Sequence, residues 1–302
     1  MVLSAGDFAV YRTESNVFNL LVPKFGDLHT TRQRERLMKV WLRSKLFERS
    51  GLEEAAISEK ILRDCHSGGD FLRILMGEIA RSQKVRRWAD CTPEHLLYIR
   101  QIKEQIPDAL IIHIIRDGRD VALSMARQKW IRPFPWQDGQ DVLLAGLFWE
   151  WIVSKGRVSG QEVGRDYLEV RFEDLVTNPR DTLSLLGRFI EHDLNYDRIR
   201  RVAIGSVGEP NSSFSNPSSG PFNPIGRWKN GFTPNNLATF EKAVGAFLES
   251  LGYSLSIPND QIPSSLIREK RVLYRLCFES HFRLKSQTPL GRWLIRSDLS
   301  WL

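Results

Sequence analysis

The sequence predicts an α/β fold: a mainly parallel sheet flanked by helices, with a helical insertion and a C-terminal helical tail. Three observations carry this. Residues 110–115 form an almost unbroken apolar run between Pro107 and Asp108 on one side and Arg116, Asp117 and Gly118 on the other. Such a run fits a strand buried on both faces of a parallel sheet. A second β-rich run, residues 167–172, follows two stretches of helical periodicity, and strands alternating with helices imply right-handed crossovers. The third observation is composition: 302 residues, 42% hydrophobic and 26% charged, with no fixed-period repeat. That is ordinary globular chemistry, with enough chain to bury a core without staples.

In order along the chain, residues 1–6 are too short for an element and residues 8–11 are a strand candidate. Residues 13–84 are mainly helical, including residues 34–47 with Leu37, Val40, Trp41 and Phe47 near one face. A helix over residues 94–105 starts behind Pro93, a natural first-turn residue. After the 110–115 strand come helices at about residues 119–129 and 142–154. The 167–172 strand leads through Glu173, Asp174 and Leu175 to a helix at residues 180–190. Residues 205–226 change character, holding 6 Ser, 4 Pro, 4 Gly and 3 Asn. A loop of that length in a compact domain is usually a lid or binding segment. Leu237, Phe240, Val244, Phe247, Leu248 and Leu251 then mark a core-facing helix over residues 235–251. Beyond Pro258 and Pro263, residues 264–302 carry eight Lys/Arg against three Asp/Glu, with aromatics at Tyr274, Phe278, Phe282, Trp293 and Trp301. The expected organisation is a domain over residues 1–256 and a basic extension over residues 257–302.

The 43 Lys+Arg against 36 Asp+Glu leave a net charge of +7, which suits an anionic small molecule, a nucleic acid or a membrane surface equally. Cys65, Cys91 and Cys277 are odd in number, widely spaced and in no metal-ligand pattern, so a reduced cytoplasmic protein without a metal is expected. The richest apolar run, residues 142–153, is interrupted by Glu150, and no transmembrane segment is expected. No basic stretch precedes the first apolar residues, which argues against a secretory signal. The basic tail matches no RNA or DNA module, so no nucleic-acid partner is expected.

Chemistry concentrates in two segments. Arg116 ends the 110–115 strand, where open α/β sheets bind ligands, and its guanidinium can fork onto a phosphate. Ser124, on the helix behind it, can add a hydroxyl donor. The competing possibility is a structural network in which Arg116 and Arg119 pair with Asp117 and Asp120; spacing alone does not choose. The second segment is Gly226, Arg227, Trp228 and Lys229, where glycine admits a close backbone approach and two cations supply charge. Trp228 either covers a base or pins the loop to the core.

Together these segments resemble the sulfotransferases that use 3′-phosphoadenosine 5′-phosphosulfate (PAPS), of a bacterial type related to the tyrosylprotein and cytosolic enzymes. The resemblance covers residues 7–253. It implies a P-loop-like parallel sheet, with Arg116 and Ser124 in an Arg-Asp-x-Arg-x-x-x-x-Ser turn on the 3′-phosphate. Residues 226–233 resemble the cofactor loop, residues 167–179 the later strand and its turn, and residues 88–93 a further turn. The implied reaction moves a sulfuryl group from PAPS, the co-substrate, to a hydroxyl or amine of a small-molecule or peptide acceptor without a metal. Residues 12–17 resemble the segment carrying the general base in tyrosylprotein sulfotransferases, which makes Glu14 the candidate base. By residue chemistry alone, Glu14 equally fits a helix N-terminal carboxylate between Thr13 and Ser15. His95 is the second candidate, although Pro93 occupies the position that matches the cytosolic histidine.

Departures from the pattern shape further expectations. The Pro-x-Ser-Gly-Thr-Thr-like loop that cradles the 5′-phosphosulfate is absent, Cys91 stands where relatives often carry lysine, and Pro221, Phe222, Asn223 and Pro224 replace an Arg-Lys-Gly triplet. Residues 1–4 look like the end of the helix that should follow the loop. The chain is therefore expected to be a poor catalyst, either begun at an internal methionine or a pseudoenzyme retaining the 3′-phosphate half-site. Residues 205–226 are expected to be mobile and to close over the nucleotide through residues 226–229. An open sheet edge or apolar groove is expected beside residues 110–115.

Overall fold

The computed structural model describes residues 1–134, 138–204, 223–256 and 265–295. The N-terminal half is helical. A π-helical turn, Val17–Leu21, precedes α1 (Thr31–Trp41), α2 (Lys45–Ser50), α3 (Glu54–Asp64) and α4 (Gly68–Ser82), and a 3₁₀ turn at Pro93–Tyr98 leads into α5 (Ile99–Gln105). Phe18, Leu37, Trp41, Phe71, Leu75 and Ile79 form its core. Fully burying one such side chain contributes about 1.5–3 kcal/mol, so this half has a core of its own.

Two expectations fail here for local reasons. Residues 8–11 are not a strand: Phe8 alone bridges Arg87, with the Ala9 N–H donating to the Arg87 carbonyl at 2.8 Å. Beyond it, the Val10 N–H and carbonyl go to the Gln83 side-chain amide at 2.7 and 3.0 Å, which stands where a neighbouring strand would. The helix expected over residues 34–47 is two helices. Ser44 donates its hydroxyl to the Trp41 carbonyl at 2.6 Å and accepts the Phe47 N–H at 3.4 Å, so one side chain ends α1 and caps α2.

Strand β1 (Ile111–Ile115) pairs in parallel with β2 (Tyr167–Arg171), from Ile111 opposite Tyr167 to Ile115 opposite Arg171. Between them run α6 (Gly118–Gln128) and α7 (Val142–Glu162), the long connection that parallel pairing needs. The sheet has two strands among the described residues. Consequently β1 is not buried on both faces: Ile115 is 4% exposed, but Leu110 and Ile114 are 43% and 50% exposed. Helix α7 runs well past residue 154 because its glycines are packing positions. A Cβ on Gly160 would lie 2.2 Å from the Tyr167 ring, and on Gly156 2.3 Å from Leu96.

Helix α8 (Pro179–Phe189) closes a small cluster of Val170, Leu183, Leu186 and Ile199 under β2. Helices α9 (Pro234–Ser250) and α10 (Ser265–Gln287) pack on α7, sharing Leu144, Trp149, Trp151, Phe240, Val244 and Phe278. Residues 265–295 of the basic tail are thus fastened to the body, and Lys24 Nζ also donates to the Arg292 and Ile295 carbonyls at 3.0 and 2.6 Å. Residues 205–222, most of the expected mobile loop, lie outside the described residues; its downstream end, from Asn223, is in place. No described helix is long and apolar enough to cross a membrane.

Candidate functional site

The turn from β1 into α6 is built by charge pairing. Asp117 caps α6, accepting the Arg119 N–H at 2.9 Å. Arg119, 2% exposed, reaches back to the same carboxylate through Nε at 3.0 Å and Nη2 at 2.8 Å. Its Nη1 donates to Glu241 of α9 at 2.7 Å and to the Ser254 carbonyl at 3.0 Å. The Asp117 N–H in turn donates to Glu173, which also accepts the Tyr253 hydroxyl, both at 2.9 Å. Arg119 is therefore fully committed to structure. Trp228 covers it, with the guanidinium carbon 3.8 Å from the ring centroid, so Trp228 pins the 223–229 segment to the core.

Asp120, in the first turn of α6, holds that segment's backbone. Its buried carboxylate accepts the Gly226 N–H at 3.0 Å and the Trp228 N–H at 2.8 Å. Burial raises its pKa, and these two bonds and Arg116 offset only part of the shift. Gly226 sits at φ +70°, a conformation that favours glycine, and this turn aims both N–H groups at Asp120.

Arg116 is held more loosely. Its Nη2 lies 3.5 Å from Asp120 and donates to the Pro224 carbonyl, and its guanidinium covers the Phe172 ring at 4.8 Å. Its buried Nε has no partner among the described residues. Beside it, Arg127, Arg227, Asp120, Leu123, Gln140 and Asn230 line an open cleft of about 560 Å³. Arg227 is pushed below the usual arginine range by burial and then by Arg116, with Asp120 opposing and Arg127 reinforcing the shift. Arg116 and Arg127 thus both act on Arg227 beside Asp120, and guanidiniums gathered at one cleft suit an anion. Ser124 is half-buried on α6, one turn beyond Asp120, and Lys229 is exposed, its ammonium 5.9 Å from the Trp228 ring centroid; neither lines the cleft. Among the described residues, no cluster of His, Cys, Asp and Glu is arranged to hold a metal ion.

Glu14 belongs to a different polar group. Thr92 Oγ1 accepts the Ser15 and Asn16 N–H groups at 3.0 and 3.4 Å, and its hydroxyl donates to Asp90 at 3.2 Å. His95 Nδ1 is 2.8 Å from Asp90, while Nε2 accepts the Phe18 N–H at 3.2 Å. A backbone N–H can only donate, so Nε2 is the bare nitrogen and Nδ1 carries the proton shared with Asp90. Both nitrogens of His95 are spent. Burial alone would raise Asp90, but the pairing with His95 and bonds from Ser15 and Thr92 leave it below the usual carboxylate range. The Glu14 side chain is exposed, yet partial burial and then Glu94 and Asp90 raise its pKa, against the pull of His95. Cys91 carries no cation; its residue is exposed, and partial desolvation of the thiol followed by Asp90 and Glu14 raises its pKa.

The structure gathers Arg116, Gly226, Arg227 and Trp228 around Asp120. No described hydrogen bond or ion pair joins Glu14 to that group. Sequence reasoning missed Arg127, although Asp120, Leu123 and Arg127 share one helix face by their spacing. It also left Asp120 as a partner for arginine, whereas its principal role is to hold two backbone N–H groups.

The model of the sulfotransferase family matches residues 11–196. A solved structure, the sulfotransferase domain from the curacin biosynthetic pathway, superimposes with a TM-score of 0.52 over 84% of this chain and 92% of that one. At 16% identity this likeness concerns the fold. No curated protein matches the sequence. With more than half of its length matched by the family model, and with a mainly helical α/β fold shared with that domain, the chain belongs to the sulfotransferase family.

Proposed function

We propose that the protein transfers a sulfuryl group from PAPS to a hydroxyl or amine of a small-molecule or peptide acceptor, and that the 3′-phosphate of the nucleotide sits at Arg116. The observation that supports this is the cleft beside Arg116, lined by Arg127, Arg227 and Asp120. A phosphate there gains charge-assisted hydrogen bonds from Arg116, whose Nε is unpartnered among the described residues, and from Arg227. Ser124 adds a hydroxyl from α6, and Lys229 adds charge from beside Trp228. Asp120 and Trp228 keep the 223–229 segment against the cleft, so the donors are in place before the nucleotide arrives.

In the reaction an acceptor oxygen or nitrogen bonds to sulfur, the sulfur–oxygen bond to the phosphate breaks, and negative charge moves onto the leaving bisphosphate. Positive charge fixed around that bisphosphate favours the transfer. Glu14 receives the acceptor's proton, its raised pKa suiting it to that role. The test is calorimetry with adenosine 3′,5′-bisphosphate. Arg116→Ala is expected to weaken binding by about 1.5–3 kcal/mol, the range for hydrogen bonds to charged groups. Unchanged affinity would remove Arg116 from the site.

A further inference from the structure

The outer face of α10 has no role in the fold or in the proposed reaction. Its inner face is fully used: Ile267, Tyr274, Phe278 and Phe282 pack into the core shared with α7 and α9. Glu279 binds Lys155 at 2.8 Å and accepts from Trp151 Nε1 at 3.4 Å, Arg271 pairs with Glu150, and Lys285 lies 3.3 Å from Glu94. At 3.6 residues per turn, Leu266, Leu273, Leu276 and Leu284 fall in one sector on the opposite side, with Val272 at its border. They are 61%, 52%, 61%, 41% and 60% exposed respectively. A solvated helix would carry polar residues there. Arg268 and Arg275 flank one border of the stripe and Lys270 the other. All three are exposed, with no carboxylate partner among the described residues. The stripe is not purely apolar: Glu269 lies within it, with Ser280 and Gln287 in the same sector and Arg283, paired with Glu279, beside Val272.

We propose that this face docks the protein on an anionic membrane surface, with α10 lying in the headgroup plane and its leucines at the acyl boundary. Charge complementarity selects this occupant. Helix α10 carries six Lys/Arg against two Glu, on a chain of net charge +7. Long cationic side chains along both borders of an apolar stripe reach headgroups while the stripe sinks below them. Trp293, on the short turn at Gly291–Leu294 that follows α10, is 87% exposed, and tryptophan is a side chain suited to a headgroup interface. A second copy of the chain fits less well, because mating the two stripes brings their cationic borders together.

The experiment is sedimentation of the full chain with vesicles of phosphatidylcholine containing about 30% phosphatidylserine, against vesicles of phosphatidylcholine alone. Binding to the anionic vesicles is expected to be roughly tenfold tighter or more, and to weaken with salt. The charge variant Arg268→Glu/Lys270→Glu/Arg275→Glu and the apolar variant Leu273→Ser/Leu276→Ser should each lower partitioning about tenfold. Both should keep wild-type bisphosphate affinity and far-UV circular dichroism, which separates this result from any failure of the nucleotide site. The proposal is overturned if the wild type ignores the anionic vesicles or if both variants bind as well as wild type. It is also overturned by a dimer that Leu273→Ser/Leu276→Ser dissolves without any vesicle binding, or by an acidic polypeptide that binds the face while vesicles do not.

Discussion

The cradle around Asp120 and the knot around Asp90 use the same materials, an aspartate with little exposure that accepts at least one backbone N–H near a basic side chain, with opposite results. In the knot, Asp90 takes His95, Ser15 and Thr92, and His95 has no free lone pair. In the cradle, Asp120 takes Gly226 and Trp228, leaving Arg116 with a distant carboxylate and an unpartnered Nε. The difference teaches that a polar residue becomes a binding candidate when its hydrogen-bonding capacity is left unspent, whatever motif it sits in. Even within one motif the contrast holds, since Arg119 is spent and Arg116, three residues earlier, is not.

The largest effect expected from this contrast is at Arg119. Arg119→Ala would leave Asp117 and Glu241 buried without their cation and is expected to cost about 3–5 kcal/mol of stability by urea denaturation. Arg116→Ala should cost at most about 1 kcal/mol, because its partly exposed ion pair is long. Equal losses would erase the distinction between a spent and a spare arginine.

Strand β1 repeats the contrast along its own length. His113 is 5% exposed and its Nδ1 lies 2.6 Å from the Tyr167 hydroxyl, which donates to Glu169 at 2.8 Å. Burial, with Glu169 opposing and Arg157 assisting, lowers the His113 pKa to about 4 from 6.5. Between those values the unfolded chain binds the proton and the folded chain does not, so stability rises with pH across the window. It is fully present above about pH 6.5 and is lost as pH falls toward 4, by an amount on the order of 3 kcal/mol. His113→Asn keeps a donor for Tyr167 and should flatten the stability curve in that window. Parallel curves for the two proteins would contradict it.

The knot should respond less. Asp90→Asn sets an amide N–H against the His95 and Ser15 donors and is expected to cost about 1–3 kcal/mol. Asp90 has a depressed pKa in the fold, so its contribution is present at neutral pH and is lost as pH falls through the carboxylate range. An Asp90→Asn protein as stable as wild type would mean that the knot is not what positions residues 14–19.

Much of the fold was legible because it depends on local pattern: β1, β2, α6, α8 and α9 follow apolar runs and helical spacing. What was not legible depends on side chains acting at a distance. Gln83 substitutes for a strand beside Val10, and nothing in the alternation of residues 8–11 discloses that. The packing role of glycines 156 and 160, beyond the expected end of that helix at 154, is visible only once Leu96 and Tyr167 are placed against them. At the site, Arg116 was visible as charge at a strand end, and residues 226–229 as a glycine and two cations at the end of a loop. Asp120 as the backbone latch was not, because its partners lie 106 and 108 residues away. The spent state of His95 was equally hidden, since its acceptor nitrogen is taken by a backbone N–H that carries no sequence identity.

Glu14 is where the contrast is finest, because it borders the spent knot and is not absorbed by it. Its side chain is exposed, and its raised pKa comes from partial burial and from the carboxylates of Glu94 and Asp90. A carboxylate whose folded pKa is raised destabilises the fold slightly once ionised, so Glu14→Gln should leave stability at neutral pH within about 0.5 kcal/mol of wild type, or marginally higher. Its effect on turnover should be far larger. A positioned general base contributes roughly 100- to 10,000-fold, and kcat for the wild type should climb with pH through a value above the ordinary carboxylate range. That limb should vanish in Glu14→Gln while bisphosphate affinity stays the same, because no described bond or ion pair joins Glu14 to the arginine cleft. Turnover that survives the substitution with its pH limb intact would return Glu14 to the ordinary role of a carboxylate at the start of a helical turn, and the proton would have to leave by another route.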